Sequence, residues 1–417
     1  MTPRFVSYST PHAHIEGLFH QASAQRSSTV VLQTHPREWS CLEKWPARAI
    51  PDLGVDVFSF NNRYVNSAAG TELVTRWEDF ALDVGAAVEC VRQEGYEQVV
   101  LYGHSAGGPQ MAFYQAMAEG GNAVAAARDD LTSFDGFIDD AGREVALPPA
   151  DGIIFSAATI GTGASFLLRL DASVVDEYTM ERDPALDMYN PANGFDPSTG
   201  AGRYSPDFLR SYRDGQAARM QRLIDRAQRL ITEAAGQDPP VMVIRGTRAD
   251  PKAVDLALAQ VTDDEYLSLP SGEVRRVAST RVLRNREHEA NRSLDGMAVH
   301  LAESFLGYRA IRPTADYAMA ASGISAEGMD FGSVQSSMPT NLDHVSVPVL
   351  VLQGTSDANP QLPSVEVNVR AATKSVDKQV IFIEGADHRY FPTEDRFGDT
   401  RAVAAGAMAT WIDQRFA

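Results

Sequence analysis

The sequence predicts an α/β fold in which a mainly parallel central sheet is flanked by helices and a large, mostly helical insertion precedes the penultimate strand. Two observations support this prediction. Short β-branched runs alternate with segments of helical periodicity up to residue 160 and again from residue 342, as expected for strands joined by crossover helices. Between residues 161 and 341 this alternation stops. We therefore predict a core domain of residues 1–160 and 342–417 and a cap of residues 161–341.

Composition and charge restrict the class of protein. The 417 residues are 44% apolar, which is enough for a substantial core, and their net charge is −18. Nucleic acids and anionic membrane surfaces both require a basic surface, so neither is expected as a partner. Cys41 and Cys90 are too few for a disulfide framework and are expected to be reduced. The first residues lack the apolar segment of a signal peptide, and no run approaches the roughly 18 apolar residues of a membrane helix. We therefore predict a cytoplasmic protein.

The first part of the chain is expected to provide most of the sheet. Strand signals are weak in two amino-terminal segments and strong in four later ones, at residues 4–7, 14–19, 28–33, 54–60, 98–102 and 151–156. Apolar residues at helical spacing predict a helix over residues 71–94, and another begins near residue 110. Strands that alternate with helices in this way form a mainly parallel sheet.

The insertion has different patterns, and the core alternation then returns. Within the insertion we predict an amphipathic helix at 207–233, a strand-like run at 241–245, a hairpin around 269–273 and a helix at 294–305. After it, strands are predicted at 347–353 and 379–383, and a closing helix is predicted at 400–415.

A serine lies in the abrupt turn between the predicted strand at 98–102 and the helix that follows. The turn reads GHSAGG, and Gly103 and Gly107 flank Ser105 at the G-x-S-x-G spacing. A strand that reverses directly into a helix strains its central residue, and side chains two positions to either side would collide. The hydroxyl group is then exposed beside free helix N–H groups, which favour developing negative charge. Ser105 is therefore the candidate nucleophile.

A serine hydroxyl needs a base to remove its proton, and the base needs a carboxylate that orients it. His388 follows the last predicted strand, and Asp357 follows the strand before it. Because the carboxyl ends of parallel strands lie at one edge of a sheet, both side chains are expected near Ser105. Asp250 is a competing acid, since it also follows a strand-like run and a Gly-Thr pair. Three other residues are weaker candidates. Asp387 is interpreted as an exposed turn residue and His288 as part of a solvated charged face, whereas His344 precedes its strand and so lies at the wrong end of the sheet.

With these segments, the chain resembles the α/β-hydrolases. The resemblance rests on GHSAG at 103–107, VPVLVLQGTSD ending at Asp357, QVIFIEGADH ending at His388, and VVLQ followed by THPR. It covers about residues 20–160 and 342–417, and the insertion would correspond to the cap of that family. In that family Ser, His and Asp form an acyl-transfer triad, which implies these roles for Ser105, His388 and Asp357.

The resemblance also implies an oxyanion hole. One donor would be the N–H of Ala106, and the second would come from the loop after the third strand, which commonly begins with His-Gly. Here that loop reads His35-Pro36, and proline has no N–H, so Arg37 is the expected second donor. A charged Arg37 could instead contact an acidic substrate.

These features predict a serine hydrolase that cleaves a carboxylic ester, lactone or thioester of a small or medium organic molecule through an acyl-enzyme. Alternatives on the same triad are an amidase or peptidase and a hydrolase of carbon–carbon bonds. A ligand-binding protein without catalytic activity could keep the same scaffold. No cofactor is expected, and His35 and His104 lack zinc-site spacing, so no metal is expected either. His104 is expected to pack beside the turn. The sequence leaves the oligomeric state open.

Overall fold

The computed structural model describes residues 2–34, 40–42, 45–46, 49–65, 71–72, 76–127, 129–132, 134, 136–139, 141–255, 258, 266–268, 274–276, 296–319, 328–357 and 362–416. Within these ranges the strands are β1 Arg4–Ser9, β2 His14–His20, β3 Thr29–Thr34, β4 Asp56–Asn61, β5 Thr71–Glu72, β6 Gln98–His104, β7 Gly152–Ser156, β8 Phe195–Asp196, β9 Ala201–Gly202, β10 Val241–Arg245, β11 Tyr266–Ser268, β12 Val274–Arg276, β13 Met297–Leu301, β14 Arg312–Pro313, β15 Met329–Asp330, β16 Val349–Gly354 and β17 Lys378–Ile383. The α-helices are α1 Trp77–Gln93, α2 Gly107–Gly120, α3 Asn122–Ala126, α4 Thr162–Leu167, α5 Pro206–Ala234, α6 Pro251–Val254, α7 Ala302–Tyr308, α8 Met338–Leu342, α9 Leu362–Ala371 and α10 Thr400–Phe416.

Within the described residues the central sheet has eight strands in the order β1-β2-β4-β3-β6-β7-β16-β17. From β4 to β17 every neighbouring pair is parallel, whereas β2 runs antiparallel to both of its neighbours. The predicted mainly parallel sheet is confirmed, and so are the two weak strands at the amino terminus. With helices on both faces and a strand–turn–helix at Ser105, the protein has an α/β-hydrolase fold.

Both faces of the sheet are buried at its central strands, β3, β4, β6, β7 and β16, because helices cover each face. Alternate strand residues such as Leu32 and Leu101 pack with α1 and α2 on one face. Their neighbours, such as Val100, pack on the other face with Met408 and Trp411 of α10. This two-sided burial explains why the strands appear in the sequence as continuous apolar runs rather than as alternating ones.

The segment between β7 and α8 contains a second hydrophobic cluster. Apolar residues on one side of α5 pack against β10, β13 and α7, and they are Met220, Leu223, Ile224 and Ala227. The predicted helix at 207–233 and the strand at 241–245 correspond to α5 and β10. The predicted hairpin corresponds to β11 and β12, which pair antiparallel. The α8 residues Met338 and Leu342 belong instead to the cluster below the central sheet.

Two predicted elements differ from the structure. Residues 294–305 do not form one helix, because β13 occupies Met297–Leu301 and α7 begins only at Ala302. Similarly, the helix predicted from residue 71 begins at Trp77, and Thr71–Glu72 is a strand. The two errors share one physical cause: β13 pairs antiparallel with β10 and parallel with β5, so backbone hydrogen bonds between distant segments override the local helical pattern.

The insertion holds a buried ion pair. The Arg219 side chain is fully buried, and its Nε lies 2.6 Å from Glu177 Oε1, whose side chain is 9% exposed. Arg219 Nη2 also donates to Glu177 Oε2 at 2.8 Å, and the other guanidinium N–H groups donate to the backbone oxygens of Asp171, Arg245 and Gly246. A buried charge is tolerated when it is paired and hydrogen-bonded in this way.

In the described part of the chain, no helix has the length and apolar character needed to cross a membrane.

Candidate active site

Ser105 lies in a strained turn between β6 and α2. Its φ is 54°, a left-handed value that is uncommon for a residue with a side chain. The turn is held by the Ser105 N–H, which donates to the Ser156 carbonyl oxygen at 3.0 Å, and by the Gly108 N–H, which donates to the Ser105 carbonyl oxygen at 3.1 Å. Backbone strain of this kind is often found where a side chain must be presented for function.

The glycines of the turn have different roles. A Cβ on Gly103 would lie 2.6 Å from the Gly107 carbonyl oxygen, and a Cβ on Gly108 would lie 2.4 Å from Ala158 Cβ. At Gly107 the nearest contact of a Cβ would be Gln110 Oε1, at an ordinary 3.9 Å. The collision predicted for both flanking glycines is therefore present at Gly103 and absent at Gly107. The second close approach occurs one residue later, where the first turn of α2 packs against the segment after β7.

The structure brings the predicted nucleophile, base and acid together. His388 Nε2 lies 3.0 Å from Ser105 Oγ, and His388 Nδ1 lies 2.9 Å from Asp357 Oδ2. Both separations are hydrogen-bond distances. The Asp357 side chain is fully buried, whereas that of His388 is 20% exposed. The arrangement allows the carboxylate to hold the Nδ1–H tautomer, so that Nε2 can accept the serine proton.

The loops that carry His388 and Asp357 are joined to each other. The Gly385 N–H donates to Thr355 Oγ1 at 2.9 Å. Gly385 has a φ of 70°, and a Cβ there would lie 2.1 Å from the Phe397 ring, so the bend before His388 requires glycine. Gln353 Nε2 donates to Asp357 Oδ2 at 3.0 Å. The carboxylate oxygen that faces His388 is therefore held from the strand side as well.

The competing residues lie elsewhere. Asp250 is buried in the insertion, and β10, which precedes it, belongs to the three-stranded sheet β10-β13-β5 rather than to the central sheet. Asp387 Oδ1 accepts the backbone N–H groups of Arg389 and Phe391, which is the turn role predicted for it. His344 precedes β16, at the amino end of that strand. His288 is outside the described residues.

The oxyanion hole is described only in part. Ala106 precedes the first residue of α2, where backbone N–H groups have no carbonyl four residues earlier to bond. This is the position expected of the predicted first donor. The predicted second donor, Arg37, lies outside the described residues, as do His35 and Pro36.

His104 packs beside the triad, as predicted. Its ring centroid is 5.0 Å from that of His388, and its Nδ1 is 3.4 Å from Ser156 Oγ. Burial lowers the pKa of His104 well below its usual value, and the charges of His388 and Arg389 lower it further. His104 is therefore a neutral neighbour of the proposed base.

Hydroxyl groups that the sequence did not reveal lie beneath the triad. Tyr102 Oη donates to Ser156 Oγ at 2.9 Å, Ser156 Oγ donates to Tyr390 Oη at 3.0 Å, and Tyr390 Oη donates to the Leu352 carbonyl oxygen at 2.8 Å. Tyr390 also has a φ of 59°. A polar residue at the end of a strand, and an aromatic one two positions after the histidine, were the only signals, and neither pattern is specific.

Other potentially reactive groups show no comparable arrangement. Cys41 and Cys90 are buried free thiols, and burial raises the pKa of Cys90 to about 11. Within the described ranges, no group of three or more His, Cys, Asp or Glu side chains is placed to hold a metal ion. A cavity of about 720 Å³ lies between the start of α1, the end of α5 and α7, but no residue that lines it belongs to the loops of Ser105, Asp357 or His388.

No protein-family model matches the sequence, and no curated protein matches it. Solved structures resemble it at low identity. The structure of DcsB in complex with its substrate analogue is 10% identical, with 99% of each chain covered and a TM-score of 0.47. A highly thermostable carboxyl esterase from Bacillus coagulans, solved with glycerol, is 10% identical over 100% of both chains, with a TM-score of 0.47. A soluble variant of the monoglyceride lipase from Saccharomyces cerevisiae is 13% identical over 100% of this chain and 95% of that chain, with a TM-score of 0.43. At these values the matches say nothing about the substrate of this chain.

Proposed function

We propose that this protein is a serine hydrolase that cleaves an ester-type bond of a small or medium organic molecule through an acyl-enzyme on Ser105. The observation that carries the proposal is the pair of hydrogen bonds at His388, with Nε2 at 3.0 Å from Ser105 Oγ and Nδ1 at 2.9 Å from Asp357 Oδ2. A serine without an activating base is a poor nucleophile, and this arrangement supplies the base and the group that orients it.

In the acylation step, Ser105 Oγ attacks the substrate carbonyl carbon while His388 Nε2 takes the hydroxyl proton. The buried carboxylate of Asp357 stabilises the imidazolium that forms and keeps the proton on Nδ1. The negative charge that develops on the carbonyl oxygen is stabilised by the Ala106 N–H at the start of α2. When the tetrahedral intermediate collapses, His388 Nε2 gives its proton to the leaving alcohol.

In the deacylation step, a water molecule replaces the alcohol. His388 Nε2 takes a proton from this water, whose oxygen attacks the acyl carbon. The second tetrahedral intermediate collapses, His388 returns the proton to Ser105 Oγ, and the carboxylic acid leaves. The exposed fraction of His388, 20%, is consistent with access of water to the base.

We further propose that residues 161–341 act as a cap that selects the substrate. The chain enters this segment shortly after β7, and Thr159, two residues before it, donates its N–H to the Ser105 carbonyl oxygen at 3.2 Å. The insertion therefore begins beside the nucleophile, where a substrate would enter. A cap that covers the site would suit a small molecule rather than a polymer.

The proposal is tested with a fluorophosphonate probe and a panel of p-nitrophenyl esters, a lactone, a thioester and an anilide. We expect wild-type protein to react covalently with the probe and to hydrolyse at least one ester. Ser105→Ala should abolish labelling, and His388→Ala should slow it by at least about a thousandfold, since the base activates the hydroxyl. Thr393→Ala is a control in the His388 loop, because its hydroxyl contacts Gly385 and Ser356 rather than the triad.

The outcomes separate the possible functions. Labelling that persists in Ser105→Ala, or that is unchanged in His388→Ala, would contradict the hydrolase mechanism. A protein that binds members of the panel without turnover and without labelling would instead be a ligand-binding protein. Turnover of the anilide alone would assign an amidase to the same triad.

A further inference from the structure

The buried hydroxyl groups below the triad form a chain whose direction can be deduced. The Leu352 carbonyl oxygen can only accept a hydrogen bond, so Tyr390 Oη must donate its single proton to it at 2.8 Å. Tyr390 Oη must therefore accept from Ser156 Oγ at 3.0 Å. With its own proton committed, Ser156 Oγ must in turn accept from Tyr102 Oη at 2.9 Å. Each hydroxyl has one possible role.

The same reasoning assigns the tautomer of His104. Ser156 Oγ has no proton left, so His104 Nδ1, 3.4 Å away, must carry the hydrogen that points toward it. This agrees with the lowered pKa of His104, which keeps the ring neutral with a single N–H. Because Tyr102, Ser156 and Tyr390 are almost fully buried, water does not compete for these bonds.

The hydroxyl chain connects the strands that carry the nucleophile, the base and the acid. Ser156 lies at the end of β7, and its carbonyl oxygen accepts the Ser105 N–H at 3.0 Å. Tyr390 follows His388 by two residues, and the strand carrying its acceptor Leu352 leads directly to Asp357. One buried network thus reaches all three catalytic loops from below.

The backbone of Tyr390 is strained, and several neighbouring groups hold the residue in place. Its φ of 59° is unfavourable for a bulky residue. The ring is fixed by Trp45, with centroids 5.0 Å apart, and the backbone oxygen accepts the Thr400 hydroxyl at 2.7 Å. Tyr390 is thereby fixed two residues after His388.

We propose that Ser156 and Tyr390 are positioning residues of the triad, which lock the His388 loop to the Ser105 turn through the directed hydroxyl chain. This inference rests on the proposed hydrolase function. The expected role of the two residues is geometric. Without the hydroxyl chain the His388 loop moves more freely, and His388 Nε2 spends a smaller fraction of the time within reach of Ser105 Oγ. Small misplacements of catalytic groups can lower rates by orders of magnitude.

The test compares Tyr390→Phe and Ser156→Ala with the control Tyr114→Phe. Tyr114 Oη donates to the Pro148 carbonyl oxygen and is also buried, but Pro148 precedes β7, at the opposite end of that strand from Ser156. The two Tyr→Phe variants therefore lose the same kind of bond. Active sites are counted by complete labelling with a fluorophosphonate, and kcat per labelled site and KM are measured with the best p-nitrophenyl ester.

We expect Tyr390→Phe and Ser156→Ala to lower kcat per labelled site by about tenfold or more, with KM changed by less than about twofold. Tyr114→Phe should leave kcat per labelled site unchanged. The double variant should lose little more than the worse single variant, because both break one chain. A purely structural role would lower the melting temperature or the labelled fraction while kcat per labelled site stayed at the wild-type value, and that result would overturn the proposal.

Failure of the proposed function gives a different result. If the wild type neither labels nor hydrolyses any ester, the hydrolase assignment is wrong and the positioning role falls with it. If the wild type is active and both variants match it per labelled site, only the positioning role is wrong. Should Tyr390→Phe not fold, Ser156→Ala alone decides, since it removes the central link and keeps both aromatic rings.

Discussion

Asp357 and His388 are 31 residues apart in the sequence, yet Asp357 Oδ2 and His388 Nδ1 lie 2.9 Å apart. They meet because β16 and β17 are parallel neighbours whose carboxyl ends lie at one edge of the sheet. The acid is fully buried and the histidine is not. Charge–dipole and charge–charge interactions are stronger in a buried site than in water. The contact with Asp357 is therefore expected to determine the tautomer and orientation of the His388 ring.

Replacement of the acid tests that contact. We expect Asp357→Asn to lower kcat for an ester by on the order of 10³- to 10⁴-fold, because an amide favours the wrong imidazole tautomer. Asp250→Asn is the matched control, since Asp250 is equally buried but lies in the insertion. Its effect on kcat should be at least about a hundredfold smaller. An inactive Asp250→Asn beside an active Asp357→Asn would mean that the acid has been assigned wrongly.

The glycines of the serine turn differ in their tolerance of a side chain. Gly103→Ala places a Cβ 2.6 Å from a backbone oxygen, and we expect it to lower the free energy of unfolding by about 1–3 kcal/mol. Gly107→Ala meets no close contact, and its effect should be within about 0.5 kcal/mol. Urea denaturation of both variants provides the comparison. Equal losses would show that the start of α2 is packed more tightly than the structure indicates.

The buried ion pair of the insertion should matter far more than an exposed one. Arg219→Met leaves Glu177 buried without its partner, so we expect a loss of about 3–5 kcal/mol in stability. The control is Arg396→Met. Arg396 is 70% exposed and its partner Glu394 is 39% exposed, so we expect a loss of stability of less than about 1 kcal/mol there. Chemical denaturation measures both. Similar losses for the two variants would contradict the role assigned to Arg219.

The state of His104 can be read from the dependence of stability on pH. Burial and then His388 and Arg389 lower its pKa in the folded protein, whereas in the unfolded chain it titrates near 6.5. The unfolded state therefore binds more protons below about pH 6.5, and folding stability falls as the pH decreases through that range.

We expect His104→Gln to remove this contribution. Below about pH 6.5 the wild type should lose stability faster than the variant, by up to about 1.4 kcal/mol per pH unit, while above it the two curves run parallel. Urea denaturation between about pH 5 and about pH 8 checks this. Curves that stay parallel throughout would show that His104 accepts a proton in the folded protein.

The sequence predicted the core of the fold and the relative order of Ser105, Asp357 and His388, because each follows a strand with a strong apolar pattern of its own. It failed where distant segments meet. The pairing of β13 with β10 and β5 is invisible in a local window, so residues 294–305 were interpreted as one helix. The hydroxyl chain through Ser156 and Tyr390 likewise depends on which strands are neighbours in the sheet. A serine or tyrosine at the end of a strand does not indicate such a chain in the sequence.

The pairing of β5 with β13 limits how the protein can be engineered. Val299 of β13 lies opposite Thr71, which belongs to the connection between β4 and α1 and not to residues 161–341. The insertion is therefore not a module that can be cut out or exchanged at its two covalent junctions. A chimaera that brings in a foreign segment in place of residues 161–341 would also have to replace the segment around residues 71–72. A truncated protein without residues 161–341 would leave that segment as an unpaired edge open to self-association.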